Sequence, residues 1–324
     1  MSDRFKKSLL RALALLVVTL LLISPLFLGA QQRSGPSAAS RTRADMVLRV
    51  DLDLVLLPVS VTDYRSRAFS GLRPDDFQVY EDKVRQRIAS VSEVDGPLSV
   101  GLVFDGSGSM SRNIDLCKQA ILAFFRYASR EDEYFLIEFS DRPHLLSRFT
   151  SQTDRIMAYV GAARGGGRTA LYDAIYFAIA EMQHARHDRK VLLVLSDGAD
   201  NASRYTEKDI RNAIQESDVQ IYTIGVFMPI PYRDNSELRA GPVKLARLGE
   251  ISGGQGFVLD NPAYLPDLTG KISRELRTQY EISYYPSNQA HNGQWRKVRV
   301  KVKAPPGAPP LEARTRSGYH APSF

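Results

Sequence analysis

Pro97-Leu98-Ser99-Val100-Gly101-Leu102-Val103-Phe104-Asp105-Gly106-Ser107-Gly108-Ser109-Met110 is an apolar segment that leads directly into a turn of aspartate, glycine and serine. Its first half has the length and the unbroken apolar character of a strand buried on both faces of a parallel sheet. After the turn, apolar residues recur at helical spacing, namely Ile114, Cys117, Ile121, Leu122 and Phe125. This order of strand, polar turn and helix predicts an α/β fold with Asp105 at the carboxyl end of a strand, where open α/β sheets bind ligands.

The turn offers one carboxylate and two hydroxyls, on Asp105, Ser107 and Ser109. A ligand set made only of oxygens suits a hard divalent cation. We expect Mg²⁺, with Mn²⁺ or Ca²⁺ as alternatives. Taken by itself, the same sequence is equally typical of an ordinary polar turn, because glycine, serine and aspartate are common in turns for local backbone reasons.

Two further segments bring oxygen ligands to matching places. Gly165-Gly166-Gly167-Arg168-Thr169 is a glycine loop that places a threonine hydroxyl just before a predicted helix. Lys190 to Ser196 form a second apolar strand, which ends at Asp197. Right-handed crossovers would bring Asp105, Thr169 and Asp197 to one edge of the sheet. All three segments occur in order, each at a strand end or a helix start, so a metal site is the stronger interpretation.

The five oxygen-bearing residues resemble the metal-ion-dependent adhesion site (MIDAS) of von Willebrand factor type A (VWFA) domains; they are Asp105, Ser107, Ser109, Thr169 and Asp197. The resemblance implies that the three hydroxyls ligate the metal directly and that the two carboxylates ligate it directly or through water. One coordination position would stay open for a carboxylate of a protein partner. The resemblance also implies a Rossmann-like fold, with a mostly parallel central sheet and helices on both faces.

Three charged residues flank the predicted ion: Arg164, Arg168 and Asp200. The arginines would pair with an acidic ligand, and the aspartate would orient a bound water behind the metal ligands. The simpler interpretation is that all three are solvated loop charges. Met228–Pro242, with three prolines, predicts a loop on or near the metal face. That loop is either a variable surface loop or a determinant of specificity.

The first 30 residues predict export. Four basic residues within the first eleven precede an uncharged run from Ala12 to Ala30. We expect a cleaved signal peptide and a protein of the periplasm or the extracellular space. The alternative is an uncleaved anchor in the inner membrane over residues 12–30, because the run is long enough to span a bilayer. Residues 31–45 are rich in Ser, Ala, Arg and Gln and predict a flexible linker.

Composition limits the partners. The chain has 324 residues, 44% hydrophobic and 24% charged, which is enough for two ordinary cores. Its net charge of +7 comes partly from the first 30 residues. Arg299, Lys301 and Lys303 form a basic row, but no interleaved aromatic residues support base stacking, and we expect no nucleic-acid partner. The only cysteine, Cys117, is expected to be a buried thiol.

Two flanking regions have the period-two pattern of half-buried antiparallel strands. Residues 46–95 contain Val50–Leu54, Val59–Thr62 and Phe77–Tyr80, and residues 279–320 contain Tyr280–Tyr285 and Val298–Lys303. Neither flank alone has enough strands for a stable sheet. We therefore predict that both flanks pair into one small antiparallel β-sandwich, into which the metal-binding domain, residues 96–278, is inserted.

The flanks sharpen the resemblance. Gly71-Leu72-Arg73-Pro74-Asp75-Asp76-Phe77 and Val79-Tyr80-Glu81-Asp82 are similar to the VWFA-related domain proteins abundant in Acidobacteria. This resemblance covers nearly the whole exported chain. It departs at Ser66 and Lys83, where that family more often has turn glycines, and those two loops are expected to differ.

The segments between these motifs predict the remaining elements of the inserted domain. We expect strands at Tyr134–Phe139, Val219–Val226 and Gly256–Leu259 and a short edge strand at Leu145–Phe149. We also expect three helices: one that begins at Ile156, one that follows a capping box at Thr206-Glu207-Lys208-Asp209, and one over Leu265–Leu276.

The favoured function is an exported module that binds an acidic side chain of a protein partner through the metal. Enzyme motifs do not accompany it: the serines lack a G-x-S-x-G elbow, the glycine loop lacks the lysine of a phosphate-binding loop, and the five histidines are not spaced to pair with Ser107 or Ser109. Two alternatives remain, a hydrolase that uses a metal-bound water and an envelope scaffold with a vestigial site. The sequence carries no signal for oligomeric state.

Overall fold

The computed structural model describes residues 53–162, 165–226 and 236–323, with the backbone alone at 236–239. The strands in these residues are β1 (Val55–Asp63), β2 (Phe77–Glu81), β3 (Val84–Gln86), β4 (Ile88–Val94), β5 (Ser99–Asp105), β6 (Glu133–Phe139), β7 (Pro143–Thr150), β8 (Lys190–Ser196), β9 (Gln220–Val226), β10 (Gly256–Leu259), β11 (Gln279–Tyr284), β12 (Trp295–Val302), β13 (Leu311–Arg314) and β14 (Gly318–His320). The helices are α1 (Ile114–Phe125), α2 (Thr153–Ala162), α3 (Leu171–Glu181), α4 (Glu207–Glu216), α5 (Ser236–Ile251) and α6 (Leu265–Glu275). The predicted signal segment and linker, residues 1–45, lie outside the described residues.

A six-stranded sheet of order β10-β9-β8-β5-β6-β7 forms the centre of the inserted domain. Its strands pair in parallel except for the edge strand β7, which pairs antiparallel with β6. All residues of β5 and β9 are buried, as their unbroken apolar sequences predict. Because β5 and β8 are adjacent and parallel, Asp105 and Asp197 reach the same edge of the sheet. The predicted α/β fold is confirmed.

Helices cover both faces of this sheet. One apolar core packs α1, α2 and α6 against one face, and a second core packs α3, α4 and α5 against the other. Cys117 is fully buried in the first core, as predicted. The predicted capping box also forms, because the Thr206 hydroxyl accepts a hydrogen bond from the Asp209 amide while the Asp209 carboxylate accepts one from the Thr206 amide.

The prediction of a loop over Met228–Pro242 is wrong for its second half, because α5 begins at Ser236 and includes Pro242. The first half of that segment lies outside the described residues. Proline in a helix interior normally breaks the helix. Here Leu245 and Leu248 are buried against the sheet, and that packing outweighs the local preference. The helix also passes very close to β9, since a Cβ added at Gly225 would lie 2.7 Å from the Pro242 Cα.

The two flanks pair with each other, as predicted. One antiparallel sheet has the order β13-β1-β11-β4 and the other β14-β12-β2-β3, and both sheets contain strands from each flank. Val59 lies opposite Tyr280 in the first sheet, and Val79 lies opposite Val300 in the second. Side chains from both sheets share one apolar core. Leu54, which was predicted to belong to a strand, precedes β1 and is not in one.

The two positions where the family more often has glycine have a backbone that favours glycine. Ser66 has a φ angle of 56°, and Asp82 and Lys83, between β2 and β3, have φ angles of 46° and 72°. Glu81 pairs with Val84, so Asp82 and Lys83 form a two-residue hairpin turn with positive φ at both positions. The turns are therefore kept although their residues are not glycines.

None of the helices in the described residues has the length and the apolar character that crossing a bilayer requires.

Candidate metal centre

Asp105 lies at the end of β5 and is completely buried. Its Oδ1 atom accepts a hydrogen bond from the Ser107 amide at 2.8 Å, which closes the turn. Its Oδ2 atom accepts a hydrogen bond from the Ser196 hydroxyl at 2.6 Å, which links the turn to the end of the neighbouring strand β8. The carboxylate is thus held by donors from two adjacent strands.

The environment of Asp105 disfavours its charge. Burial raises the pKa of its carboxyl to about 6, and the nearby Asp197 carboxylate adds to the rise, while the hydrogen bonds from Ser107 and Ser196 oppose it. Within the described residues no lysine or arginine forms an ion pair with Asp105. A buried carboxylate beside a second carboxylate, with no basic partner, fits a divalent cation.

The two serines of the turn lie next to each other. The Ser107 and Ser109 hydroxyl oxygens are 3.1 Å apart, so both face the same region. Ser107 is buried whereas Ser109 is exposed. In the described residues, no three or more His, Cys, Asp or Glu side chains are grouped as metal ligands. The candidate centre therefore depends on hydroxyl oxygens in addition to its two carboxylates.

Backbone hydrogen bonds join the glycine loop to the turn. The Gly166 amide donates to the Gly106 carbonyl at 2.8 Å, and the Gly108 amide donates to the Gly167 carbonyl at 3.2 Å. Gly167 has a φ angle of 85°, which favours glycine. These contacts hold the glycine loop, which leads to the buried Thr169, against the aspartate and serine turn.

The loop after β8 is joined to the same threonine. The Thr169 amide donates to the Asn201 side-chain carbonyl at 2.9 Å, and the Thr169 carbonyl accepts hydrogen bonds from the Asn201 and Ala202 amides. Asp197 is half-buried and caps its own turn, since its Oδ1 atom accepts a hydrogen bond from the Ala199 amide at 3.0 Å. The three predicted segments are thus connected to one another by hydrogen bonds.

The flanking charges have structural contacts of their own. The Asp200 Oδ1 atom accepts hydrogen bonds from the Tyr172 amide at 3.3 Å and from the Ser203 hydroxyl at 2.5 Å, so this aspartate caps the start of α3. The Arg168 side chain is exposed, and its guanidinium donates to the Asn201 carbonyl. Arg164 lies outside the described residues.

Other residues that support the centre were not predicted. Ser196 binds Asp105, and Asn201 fixes the Thr169 backbone. Asp173 accepts hydrogen bonds from the Arg204 and Tyr205 amides and so holds the far end of the loop. The only sequence signal for Ser196 is its place just before Asp197. Asparagine in a loop is too common for Asn201 to stand out.

Two more carboxylates approach the turn. The Glu138 carboxylate would lie 2.6 Å from a Cβ added at Gly106, and that of Asp141 would lie 2.8 Å from a Cβ added at Gly167. Burial raises the pKa of Glu138 above its usual range, and His144 opposes the rise. Together these groups make the carboxyl edge of the sheet rich in acceptor oxygens.

An α/β domain with an oxygen-rich turn and a hydroxyl-bearing glycine loop at the carboxyl edge of its sheet defines the class of VWFA-type domains. The model of the von Willebrand factor type A domain family matches residues 99–271, which is more than half of the chain. The chain therefore belongs to this family. A comparison with curated proteins found no match.

Several solved structures align with parts of this chain. A von Willebrand factor type A protein from Catenulispora acidiphila is 12% identical with a TM-score of 0.47, and the alignment covers 83% of this chain and 73% of that one. The PilB minor pilin from Streptococcus sanguinis is 16% identical with a TM-score of 0.45, and 57% of this chain aligns with 62% of the pilin. BatB from Bacteroides thetaiotaomicron is 16% identical with a TM-score of 0.43 and is covered completely by 56% of this chain. The chain thus spans less than two thirds of the pilin's length.

Proposed function

We propose that this protein is an exported VWFA-domain protein that binds a protein partner through a divalent cation, with Mg²⁺ as the expected ion. Asp105, Ser107, Ser109, Thr169 and Asp197 would hold the ion. When bound, the cation would supply a positive charge with an open position for an acidic side chain of the partner. VWFA domains generally act in protein interaction or adhesion, and the proposal adds the metal and the acidic ligand to that role.

The observation that carries the proposal is the state of Asp105. Its carboxylate is fully buried, lies near a second carboxylate, and has no ion pair with a basic residue in the described part of the chain. Burying such a charge without compensation is costly. A cation held between the turn, the glycine loop and Asp197 would remove that cost.

The exposure of the site favours a ligand that comes from outside. Asp105, Ser107 and Thr169 are buried, whereas Ser109 and the glycines around Thr169 are exposed. A cation held by these groups would therefore face solvent on one side, where a partner's carboxylate can reach it. The uncharged run over residues 12–30 supports export, and its cleavage and the link to the Acidobacterial branch remain predictions.

Calorimetric titration of the metal-free protein with Mg²⁺ and Mn²⁺ tests the metal step. We expect Asp105→Asn to weaken binding at least a hundredfold, because it removes one charged ligand and keeps the shape of the side chain. Thr169→Ala should also weaken it, and Thr169→Ser should restore it by returning the hydroxyl. The matched control is Asp115→Ala, since Asp115 is an exposed carboxylate on α1 whose ion pair among the described residues is with Lys118. Parent-like binding by Asp105→Asn would refute the assignment and favour a scaffold with a vestigial site.

The partner step needs a second experiment. The parent and the Asp105→Asn variant serve as baits on envelope extract in Mg²⁺, followed by elution with EDTA. We expect a defined partner that the parent releases on chelation and the variant does not retain. Binding that survives both EDTA and Asp105→Asn would show that the partner does not use the metal.

A further inference from the structure

A second candidate site lies at the opposite edge of the central sheet. A cavity of about 640 Å³ is bounded by the amino ends of β8 and β9 and by residues of β1 and β11, the two inner strands of one flanking sheet. Lys190 at the start of β8 lines this cavity, whereas Ser196 at the end of β8 contacts Asp105. At about 3.3 Å per residue, the strand separates the cavity from the metal centre by roughly 20 Å.

Gln220 lines the cavity and has a buried side-chain donor without a partner in the described residues. The residue is only 5% exposed, and its Nε2 atom has no hydrogen-bond partner within the described residues. The orientation of its amide is fixed by a chain of contacts. The Arg189 guanidinium donates to the Gln279 Oε1 atom at 3.1 Å, so the Gln279 Nε2 atom must face Gln220, and it donates to the Gln220 Oε1 atom at 3.0 Å. The Gln220 carbonyl oxygen is therefore the atom that faces Gln279, and its NH₂ group is left without an acceptor in the described residues.

Arg316 presents a second unused donor. Its Nε atom is buried without an acceptor in the described part of the chain, and one of its terminal nitrogens donates only to the Leu56 carbonyl, at 3.2 Å. No carboxylate of the described residues lies within ion-pair distance of Arg316. Burial lowers the pKa of Arg316 below its usual range. No carboxylate in the described part of the chain pairs with this charge directly; its guanidinium carbon lies 5.4 Å from the centroid of the Tyr319 ring, and Asp218 attracts it from a longer distance.

The other described charges at the cavity form no ion pair with Arg316. Burial also lowers the pKa of Arg189, whose hydrogen bonds go to neutral carbonyl and amide oxygens. Asp218 pairs with Lys190 at 2.8 Å. Asp188 and Glu281 are exposed at the rim, where water screens them. The interior of the cavity is thus richer in positive charge than its rim.

The entrance is apolar. Leu54 and Leu56 line it with 47% and 46% of their surfaces exposed. Pro58 and Pro286 line the same space. A ligand that is apolar at one end and a hydrogen-bond acceptor at the other would contact both parts of the cavity.

We propose that this cavity binds a small organic carboxylate with an aliphatic body. The carboxylate would accept hydrogen bonds from Gln220 and Arg316, and the aliphatic part would contact Leu54 and Leu56. The bound carboxylate would accept hydrogen bonds from two donors, Gln220 Nε2 and Arg316 Nε, that have no acceptor among the described residues. It would also neutralise the Arg316 charge.

Octanoate is the probe, with octanamide as its neutral analogue. Both are titrated into the full protein in EDTA, so that the outcome does not depend on the proposed metal centre. We expect saturable binding of octanoate with a rise in melting temperature, and binding of octanamide that is at least tenfold weaker.

Two variants test the assigned donors. Arg316→Met and Gln220→Leu should each weaken octanoate binding at least tenfold. Both should fold, because Arg316→Met removes a buried charge without an ion pair in the described residues and Gln220→Leu leaves Gln279 its hydrogen bond to the Ser60 hydroxyl at 3.0 Å. Arg211→Met is the matched control, since Arg211 is exposed on α4 and does not line the cavity. A cooperative melting transition at or above the parent's temperature in each ligand-free variant confirms folding, and Gln220→Leu decides the outcome if Arg316→Met does not fold.

Three results would overturn the proposal. Equal binding of octanoate and octanamide would remove the carboxylate from it. Unchanged octanoate affinity in a folded Arg316→Met or Gln220→Leu variant would remove the donors. Binding of neither probe would mean that water alone serves these polar groups.

Discussion

The carboxyl and amino edges of the central sheet have opposite imbalances of buried polar groups. At the carboxyl edge, Asp105 lies buried near Asp197 with no basic partner among the described residues. At the amino edge, the side chains of Gln220 and Arg316 each have a buried donor without an acceptor among the described residues. Buried polar groups are normally paired. A buried charge without an ion pair, or a buried donor without an acceptor, is therefore a physical reason to look for a ligand there, and its chemistry gives the expected sign of that ligand.

The largest expected effect compares how tightly the backbone is packed at the two edges. Gly198 at the carboxyl edge has a φ angle of 75°, and a Cβ added there would lie 2.3 Å from the Gly241 backbone. We expect Gly198→Ala to lower the free energy of unfolding by about 3 kcal/mol or more.

At the amino edge, a Cβ added to Gly96 would lie 3.8 Å from the Arg189 side chain, which is ordinary contact. Gly96→Ala should change the stability by no more than about 0.5 kcal/mol. Urea unfolding of both variants in EDTA measures the difference. Similar losses in the two variants would mean that the carboxyl edge is not held more tightly than the amino edge.

The pH dependence of the metal-free protein tests the charge at the carboxyl edge. The folded Asp105 has a pKa of about 6, above the ordinary 3.8, so its contribution to stability is complete below pH 3.8 and is lost as the pH rises through 6. That loss is about 3 kcal/mol at most.

Asp105→Asn isolates this contribution. In EDTA, the parent should lose stability relative to Asp105→Asn as the pH rises from 4 to 7, measured as the difference between their free energies of unfolding. Saturating Mg²⁺ at pH 7 should restore the parent only. A difference that does not change with pH would contradict the assigned titration.

Removing the buried charge at the amino edge should also raise the free energy of unfolding, but by less than at the carboxyl edge. Arg316→Met removes a desolvated charge and should stabilise the ligand-free protein by about 1 kcal/mol, measured by urea unfolding at pH 7. The exposed Arg211→Met variant should be neutral. A marked destabilisation of Arg316→Met would show that the hydrogen bond from Arg316 to the Leu56 carbonyl matters more than the cost of the buried charge.

The smallest effect lies away from both edges. Lys83→Gly should stabilise the protein by about 1 kcal/mol or less, because it relieves a positive φ in the turn between β2 and β3. Lys83→Ala is the control, since it removes the same charge and keeps the backbone cost. Equal stability of the glycine and alanine variants would show that the turn stores no backbone strain. An imbalance of this kind is local and points to no ligand.

The carboxyl edge could be predicted from the sequence because its residues follow apolar strands directly. Asp105 and Asp197 each end a buried strand, and parallel pairing brings such ends together. Pairing of the flanks was predictable from their alternating pattern. Helix α5 was missed because Pro242 is a strong local helix breaker, and the packing of Leu245 and Leu248 that outweighs it is not visible in sequence.

The amino-edge cavity was not predictable for a different reason. Gln220, Gln279 and Arg316 lie far apart in the chain, and glutamine and arginine are common on surfaces. Only the pairing of β11 with β1 and the course of the last residues bring them to one place. Ser196 and Asn201 at the metal centre were missed in the same way, since their partners are fixed by three-dimensional contacts.

The pairing of β1 with β11 also constrains the order in which this protein can fold. Val59 and Tyr280 face each other across that pair, roughly 220 residues apart in sequence. The amino end of a chain is synthesised first, so β1 and its apolar side chains are exposed long before β11 is made. Closing so long a loop is slow for an unfolded chain. The inserted domain shortens the effective distance once it has folded, so the flanking sandwich should form last, and holdase chaperones should protect β1 until then.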